Sequence, residues 1–255
     1  MKSVAPRCLL LHGFTGGGAD WSSVFPEDPE RLAIDLPGHL TGPDPTSDYL
    51  DVIRALLDRL PPSIDRVIGY SLGGRIALSL IQLAPERFRS AAIISAHPGL
   101  LDPALREQRR LADQSWIRLL RDQGIEAFVA AWEHQPLFQT QARLAPEILA
   151  RQRAQRLSQR PEGLAGALER LGLGEMPGTW EALARYHGRL DWIVGGEDRR
   201  FQAIAHEVLA HRPATRLHIL EDVGHNPLLE APEHLRLCLE RSTGPTRNAH
   251  RISIA

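Results

Sequence analysis

Continuous apolar runs alternate with helical stripes along most of this chain. Cys8–His12 is a short apolar run that opens into His12-Gly13-Phe14-Thr15-Gly16-Gly17-Gly18, and it predicts a buried parallel strand entering a glycine-rich loop. Arg31–Leu36 predicts a second strand, closed by Pro37-Gly38. From Asp48 to Leu60, Leu50, Ile53, Leu56, Leu57 and Leu60 share one helical face, and Pro61-Pro62 stops that helix. Arg66–Tyr70 reads as a third strand running straight into the helical pattern Leu72–Leu83. Ser90–Ala96 is a fourth strand, ending at His97-Pro98-Gly99. Leu190–Val194 and Thr215–Leu220 are the last two, with a helix at Phe201–Ala210 between them and another at Pro232–Arg241. Strand–helix alternation of this kind predicts an α/β fold: a mostly parallel sheet of about six strands, helices on both faces and right-handed crossovers.

The stretch from about Leu101 to Ala184 breaks the alternation, with helical patterns and no good strand. Arg106, Arg109, Arg110, Arg118, Arg121, Arg143, Arg151, Arg153, Arg156 and Arg160 crowd into it, interleaved with Trp116, Phe128, Trp132 and Phe138. The expected organisation is a core formed by residues 1–100 and 185–241, with 101–184 inserted as a helical cap. Ligands bind outside the carboxyl ends of parallel strands, so such a cap would roof the site. Residues 242–255 carry no pattern and are expected to be a mobile tail.

Composition narrows the function classes. Apolar residues make up 43% and charged residues 24% of the chain, with a formal net charge of −1, so no basic excess marks a nucleic-acid or anionic-membrane partner. Cys8 and Cys238 sit in apolar surroundings and read as reduced core residues. The longest apolar run near the N-terminus, Cys8–Leu11, is too short for a signal peptide or a membrane span, and the expected location is the cytoplasm. Lys2 is the only lysine, so an arginine here is not special merely for being arginine.

The candidate chemistry starts at Gly69-Tyr70-Ser71-Leu72-Gly73, a G-x-S-x-G placed where a predicted strand meets a predicted helix. In that setting the serine sits on a sharp turn with its Oγ exposed, and the following helix aims unpaired N–H groups at it. Serine needs an imidazole to accept its proton and an acid to fix that imidazole's tautomer. With the chain order Ser, acid, His, the late positions are Asp198, in Gly195-Gly196-Glu197-Asp198, and His225, in Val223-Gly224-His225. Glu197 and Asp222 are the rival acids. The backbone N–H groups of Leu72 and Phe14 are the expected oxyanion donors, and His12 is expected to brace the loop of Phe14. Arg75 stands one helical turn after Ser71, where a side chain leaning toward the helix N-terminus approaches the serine. A plain esterase has no use for a cation there, whereas an enzyme acting on a carboxylate does. Arg110, Arg118, Arg121, Arg151, Arg153 and Arg160 are expected on solvated helix surface. No metal-ligand spacing and no phosphate-cradling G-x-x-x-x-G-K is present, so neither metal nor cofactor is expected.

Leu11-His12-Gly13-Phe14, Asp35-Leu36-Pro37-Gly38-His39, Gly69-Tyr70-Ser71-Leu72-Gly73-Gly74 and Gly196-Glu197-Asp198 together resemble the α/β-hydrolase superfamily. A narrower set resembles one family within it, the 2-succinyl-6-hydroxy-2,4-cyclohexadiene-1-carboxylate synthases of menaquinone biosynthesis. That set comprises Gly73-Gly74-Arg75, His97-Pro98-Gly99-Leu100, Arg109 ahead of Asp113-Gln114-Ser115-Trp116, and Trp132 before Gln135-Pro136-Leu137-Phe138. Arg156 before Pro161-Glu162-Gly163-Leu164, and Asp198-Arg199-Arg200-Phe201, complete it. The resemblance runs from about Leu9 to Leu239. One departure lies at Pro37-Gly38-His39-Leu40, where a glycine commonly follows the histidine.

This resemblance implies a lyase. It would eliminate pyruvate from 2-succinyl-5-enolpyruvyl-6-hydroxy-3-cyclohexene-1-carboxylate, a small-molecule tricarboxylate. Ser71, Asp198 and His225 would form the catalytic triad, and Arg75, Arg109 and Arg156 would hold the substrate. Tyr70 and Trp132 would line the pocket, and Arg200 fills the place of a basic residue usual just after the triad acid. The alternative is a carboxylester or C–C bond hydrolase using the same triad through an acyl-enzyme. A non-catalytic ligand receptor on this fold is a further, weaker one.

Overall fold

The computed structural model describes residues 5–26 and 28–241, so the expected tail at 242–255 lies outside the described residues. Six strands form one sheet: β1 Cys8–Leu11, β2 Arg31–Ile34, β3 Arg66–Tyr70, β4 Ser90–Ile94, β5 Arg189–Gly195 and β6 Arg216–Leu220. Their order is β2-β1-β3-β4-β5-β6 and every neighbouring pair is parallel. The chain moves outward from β1 to β2 and then returns across β1 to β3. The order therefore reverses at β1, which makes a crevice beyond the carboxyl ends of β1 and β3.

Side-chain alternation along the strands divides the core in two. Leu9, Leu11, Ala91, Ile93, Leu190, Trp192 and Val194 point to one face; Cys8, Leu10, Ala92, Ile94 and Ile193 point to the other. The first face is covered by α1 Tyr49–Arg59, α2 Leu72–Leu83 and α7 Arg199–His211. The second is covered by the 3₁₀ segment Gly18–Ser23 and by α8 Pro227–Glu230 and α9 Pro232–Arg241. Burial on both faces explains why the central strands read as unbroken apolar runs. The short α8 has no counterpart among the sequence expectations, because Pro227 and two leucines make too brief a pattern to register.

Between β4 and β5 lie α3 Pro103–Trp132, α4 Pro146–Leu157, α5 Pro161–Leu171 and α6 Trp180–Arg185. Gly124 interrupts α3 with φ 81°, a left-handed value that suits glycine. Ile117, Leu120, Ile125, Phe128, Val129, Leu164, Ala165 and Leu168 give α3 and α5 a small core of their own. By contrast, Trp180 and Leu183 of α6 join the core of the first sheet face. The stems of this segment are pinned together: Thr179 donates from N–H and from Oγ1 to the Pro98 carbonyl, each at 2.8 Å, and Trp180 Nε1–H donates to the Gly99 carbonyl at 2.9 Å. Among the described residues, no helix is long and apolar enough to cross a membrane.

Candidate active site

Ser71 has φ 51° and ψ −108° between the end of β3 and the start of α2, a conformation that a non-glycine residue holds at a cost of about 1–3 kcal/mol. Crowding around it makes the glycines obligatory. A Cβ on Gly69 would lie 2.3 Å from the Gly73 carbonyl oxygen, and one on Gly73 would lie 2.3 Å from the Leu11 carbonyl oxygen. The Ser71 N–H is held by the Ile94 carbonyl at 2.9 Å. Leu72 is the first residue of α2, so its N–H has no partner within the helix.

Two loops bring the partners. His225 follows β6, and its Nε2 lies 3.2 Å from Ser71 Oγ; its Nδ1 lies 2.7 Å from Asp198 Oδ2, in the loop after β5. The buried carboxylate accepts a hydrogen bond from Nδ1–H and so fixes the tautomer in which Nε2 is bare and can accept the serine proton. The rival acids are elsewhere: Glu197 is held by Arg143 through bonds of 2.6 and 2.7 Å, and Asp222 occupies a left-handed turn with φ 57°. Glu230 braces the His225 loop, a contact that sequence reasoning misses. Its carboxylate accepts the Gly224 N–H at 2.7 Å and the Asn226 N–H at 3.1 Å, clamping the backbone on both sides of His225. Only the spacing of five residues after the histidine could have signalled it.

The loop after β1 is fixed from below by His12. Its Nδ1–H donates to the Gly13 carbonyl at 2.7 Å, while Nε2 accepts the Leu36 N–H at 2.9 Å. Burial lowers the His12 pKa, which keeps the ring neutral and suits this donor–acceptor pair. The Gly13 carbonyl belongs to the same planar peptide as the Phe14 N–H. Turning the carbonyl toward His12 turns that N–H the opposite way.

A cavity of about 1000 Å³ opens above these strand ends. Phe14, Tyr70, Ser71, Leu72, Arg75, Arg109, Trp132, Arg156, Asp198, Arg200 and His225 all line it, so the expected triad, oxyanion and substrate-holding residues border one space. The arginines differ in how they are held. Arg109 Nε donates to both oxygens of buried Asp113, at 2.9 and 3.0 Å. Arg156 is buried, pairs with Glu133 at 3.2 Å and lies 5.2 Å from the Phe138 ring centre. Arg200 lies 6.0 Å from the Phe201 ring centre. Arg75 donates to the Leu171 carbonyl at 2.8 Å and, among the described residues, forms no ion pair. Burial pulls its pKa down to about 10, and the charge of Arg109 adds to the drop. His97 also borders the cavity; burial, followed by Arg200, Arg75 and Arg109, lowers it to about 4.

Trp132 forms one wall, stacked on Phe128 at 5.3 Å and edge-on to Phe14 at 5.1 Å. Of the arginines expected on solvated surface, Arg151 is exposed yet also borders the cavity. Arg160 instead ties the segment to the core, donating to the Leu40 and Gly42 carbonyls at 3.0 and 2.9 Å. Helical spacing alone does not reveal which side of α4 faces the sheet.

A sharp strand-to-helix turn at Ser71, a Ser–His–Asp chain of hydrogen bonds drawn from three loops and a parallel sheet beneath them are the architecture of an α/β-hydrolase. The model of the alpha/beta hydrolase family matches residues 8–235. A protein from Salmonella agona (strain SL483), named 2-succinyl-6-hydroxy-2,4-cyclohexadiene-1-carboxylate synthase, is 32% identical over 89% of this chain and 90% of its own. A relative from Bacillus subtilis (strain 168) is 34% identical over 88% of this chain and 85% of its own. The solved structure of MenH from S. aureus superposes with a TM-score of 0.84, at 29% identity over 94% of both chains. The chain belongs to the α/β-hydrolase family and, within it, to the 2-succinyl-6-hydroxy-2,4-cyclohexadiene-1-carboxylate synthases.

Proposed function

We propose that this enzyme is a lyase that eliminates pyruvate from 2-succinyl-5-enolpyruvyl-6-hydroxy-3-cyclohexene-1-carboxylate to give 2-succinyl-6-hydroxy-2,4-cyclohexadiene-1-carboxylate, in menaquinone biosynthesis. Ser71 Oγ, with its proton drawn toward His225 Nε2, abstracts the ring proton α to the succinyl ketone. Electrons released from that C–H bond pass through the ring alkene and expel the enolpyruvyl oxygen; the enolate that leaves takes up a proton and becomes pyruvate. Asp198 holds the imidazolium that forms in between. The amides of Phe14 and Leu72 face the site of developing negative charge, where fixed donors are most effective.

The substrate carries three carboxylates, and guanidinium groups are their natural partners. The observation that carries the reading is Arg75: a desolvated guanidinium that lines the same cavity as Ser71, with a peptide carbonyl, and no carboxylate, as its bonded partner. An esterase of neutral substrates would gain nothing from a cation kept there. Arg109, Arg156 and Arg200 border the same space and add positive charge to it. Tyr70 and Trp132 shape the pocket around the ring.

The test is to supply the enolpyruvyl substrate and follow pyruvate with a coupled dehydrogenase, comparing the wild type with Ser71→Ala. Pyruvate release that is lost in Ser71→Ala supports the lyase. A burst of p-nitrophenol from simple esters with no pyruvate would replace it with a hydrolase.

A further inference from the structure

Gln159 is a buried amide that belongs to the segment above the sheet yet bonds only to loops of the sheet. It lies between the end of α4 and the start of α5. Its Nε2 donates to the Thr15 carbonyl at 3.1 Å and to the Gly16 carbonyl at 2.8 Å, and its Oε1 accepts the Leu40 N–H at 3.0 Å. With the residue 3% exposed, water cannot replace these bonds.

The loop it grips is the one that carries Phe14. Thr15 has φ 67°, a left-handed value that a threonine does not hold unaided. The peptide between Thr15 and Gly16 is fixed at both ends: its carbonyl by Gln159, and its N–H by the Gly13 carbonyl at 3.0 Å. That same Gly13 carbonyl, also bonded to His12, sets the direction of the Phe14 N–H. Gln159 is therefore the upper brace of a loop whose lower brace is His12. It also lies one turn beyond Arg156, so the residue proposed to grip a substrate carboxylate and the residue holding the oxyanion loop share the end of α4.

We infer that Gln159 is a positioning residue that holds the Phe14 amide in register with Ser71. The inference rests on the proposed role of that amide as a donor to developing negative charge, and not on the identity of the substrate.

Three variants separate this role from simple support. Q159M removes all three bonds at similar volume. Q159E keeps the acceptor for Leu40 but sets a carboxylate against the Thr15 and Gly16 carbonyls. Q159N is too short to span both loops. R160M is the reference, since Arg160 joins the same elements through Leu40 and Gly42 without touching the Phe14 loop. Two rates are measured for each. The first is pyruvate release, with kcat and KM resolved. The second is labelling of Ser71 by a small neutral fluorophosphonate, in which the Oγ–P bond forms, fluoride leaves and the serine proton passes to His225. Labelling needs the triad and the oxyanion donors, but no arginine.

Q159M, Q159E and Q159N are expected to lower both kcat and the labelling rate by about ten-fold or more with KM little changed, because a misaimed donor is felt mainly as charge develops. R160M is expected to lower Tm and leave both rates near wild type. Labelling within two-fold of wild type in the folded Gln159 variants would overturn the inference. So would a rise confined to KM, retention of both rates in Q159E, a wild type that fluorophosphonate does not label, or failure of all three variants to fold, which would make Gln159 a strut. A wild type that is labelled but releases no pyruvate would count against the lyase alone.

Discussion

Arg75 on α2 and Leu171 at the end of α5 are joined by a single 2.8 Å hydrogen bond from guanidinium to carbonyl. The carbonyl end of a helix carries partial negative charge, which helps to hold a buried cation without neutralising it. Arg75 thus stays positioned and stays available. Arg75→Ala should lower kcat by about 10²–10³-fold, similar to removing an oxyanion donor, and more than it raises KM. Steady-state pyruvate release decides this; a mild effect confined to KM would remove Arg75 from the reacting centre.

Asp198→Asn should leave the fold intact and lower kcat by about 10³–10⁴-fold, because an amide can present an N–H to Nδ1 and favour the wrong imidazole tautomer. Glu197→Gln should leave kcat near wild type, since Glu197 is engaged with Arg143. Equal losses in the two variants would undo the assignment of the acid.

The strain at Ser71 is separable from its hydroxyl. Ser71→Gly should be more stable than Ser71→Ala by up to about 2 kcal/mol, because glycine adopts φ 51° freely, partly offset by its larger unfolded-state entropy. Denaturant unfolding of the two inactive variants measures it, and equal midpoints would show that the elbow stores no strain.

Glu230→Ala should loosen the loop that carries His225 and lower kcat by about ten- to a hundred-fold, as expected for displacing a reacting group by a fraction of an ångström. Glu230→Gln, which keeps one carbonyl acceptor, should recover part of that loss. KM should move little in either, and a change in KM alone would assign Glu230 to the pocket wall.

A pH effect on stability is expected from a group that does not line the cavity. Burial alone would lower the His218 pKa, but hydrogen bonds with Asp191, at 2.9 Å, and with Cys238 outweigh it and raise the pKa to about 9. Arg189 also bonds Asp191, at 3.1 Å, and competes for the same carboxylate. The folded-state pKa exceeds the unfolded one, so the stabilisation is complete below about pH 6.5 and is lost as the pH rises toward 9. His218→Gln should flatten that decline, which denaturant unfolding across this pH range would register as more than about 1 kcal/mol. A slope unchanged in the variant would show that His218 is not the group responsible.

The strands and the catalytic loops were legible because their causes are local. A strand buried on both faces must be apolar throughout, and an elbow must carry glycine where Gly69 and Gly73 stand. The arginines around the cavity were legible in part. Arg75, Arg109 and Arg156 border the cavity as the motifs imply, but Arg151 does so too, and only the packing of α4 against the glycine-rich loop puts it there. Glu230 and Gln159 were missed because each acts on backbone atoms that leave no trace in residue type. The departure at Leu40 has a structural counterpart: it holds φ 40° where glycine would relax, while Gln159 accepts its N–H and Arg160 donates to its carbonyl.

The pinned stems have an evolutionary consequence. Pro98 and Gly99 meet Thr179 and Trp180 within hydrogen-bonding distance, so the long excursion between them departs from and returns to one point. To the strands on either side it is equivalent to a short turn. Whole excursions can then be exchanged by recombination at that junction with strand pairing undisturbed, and new specificities can arise on an old reaction centre without the scaffold having to be reinvented.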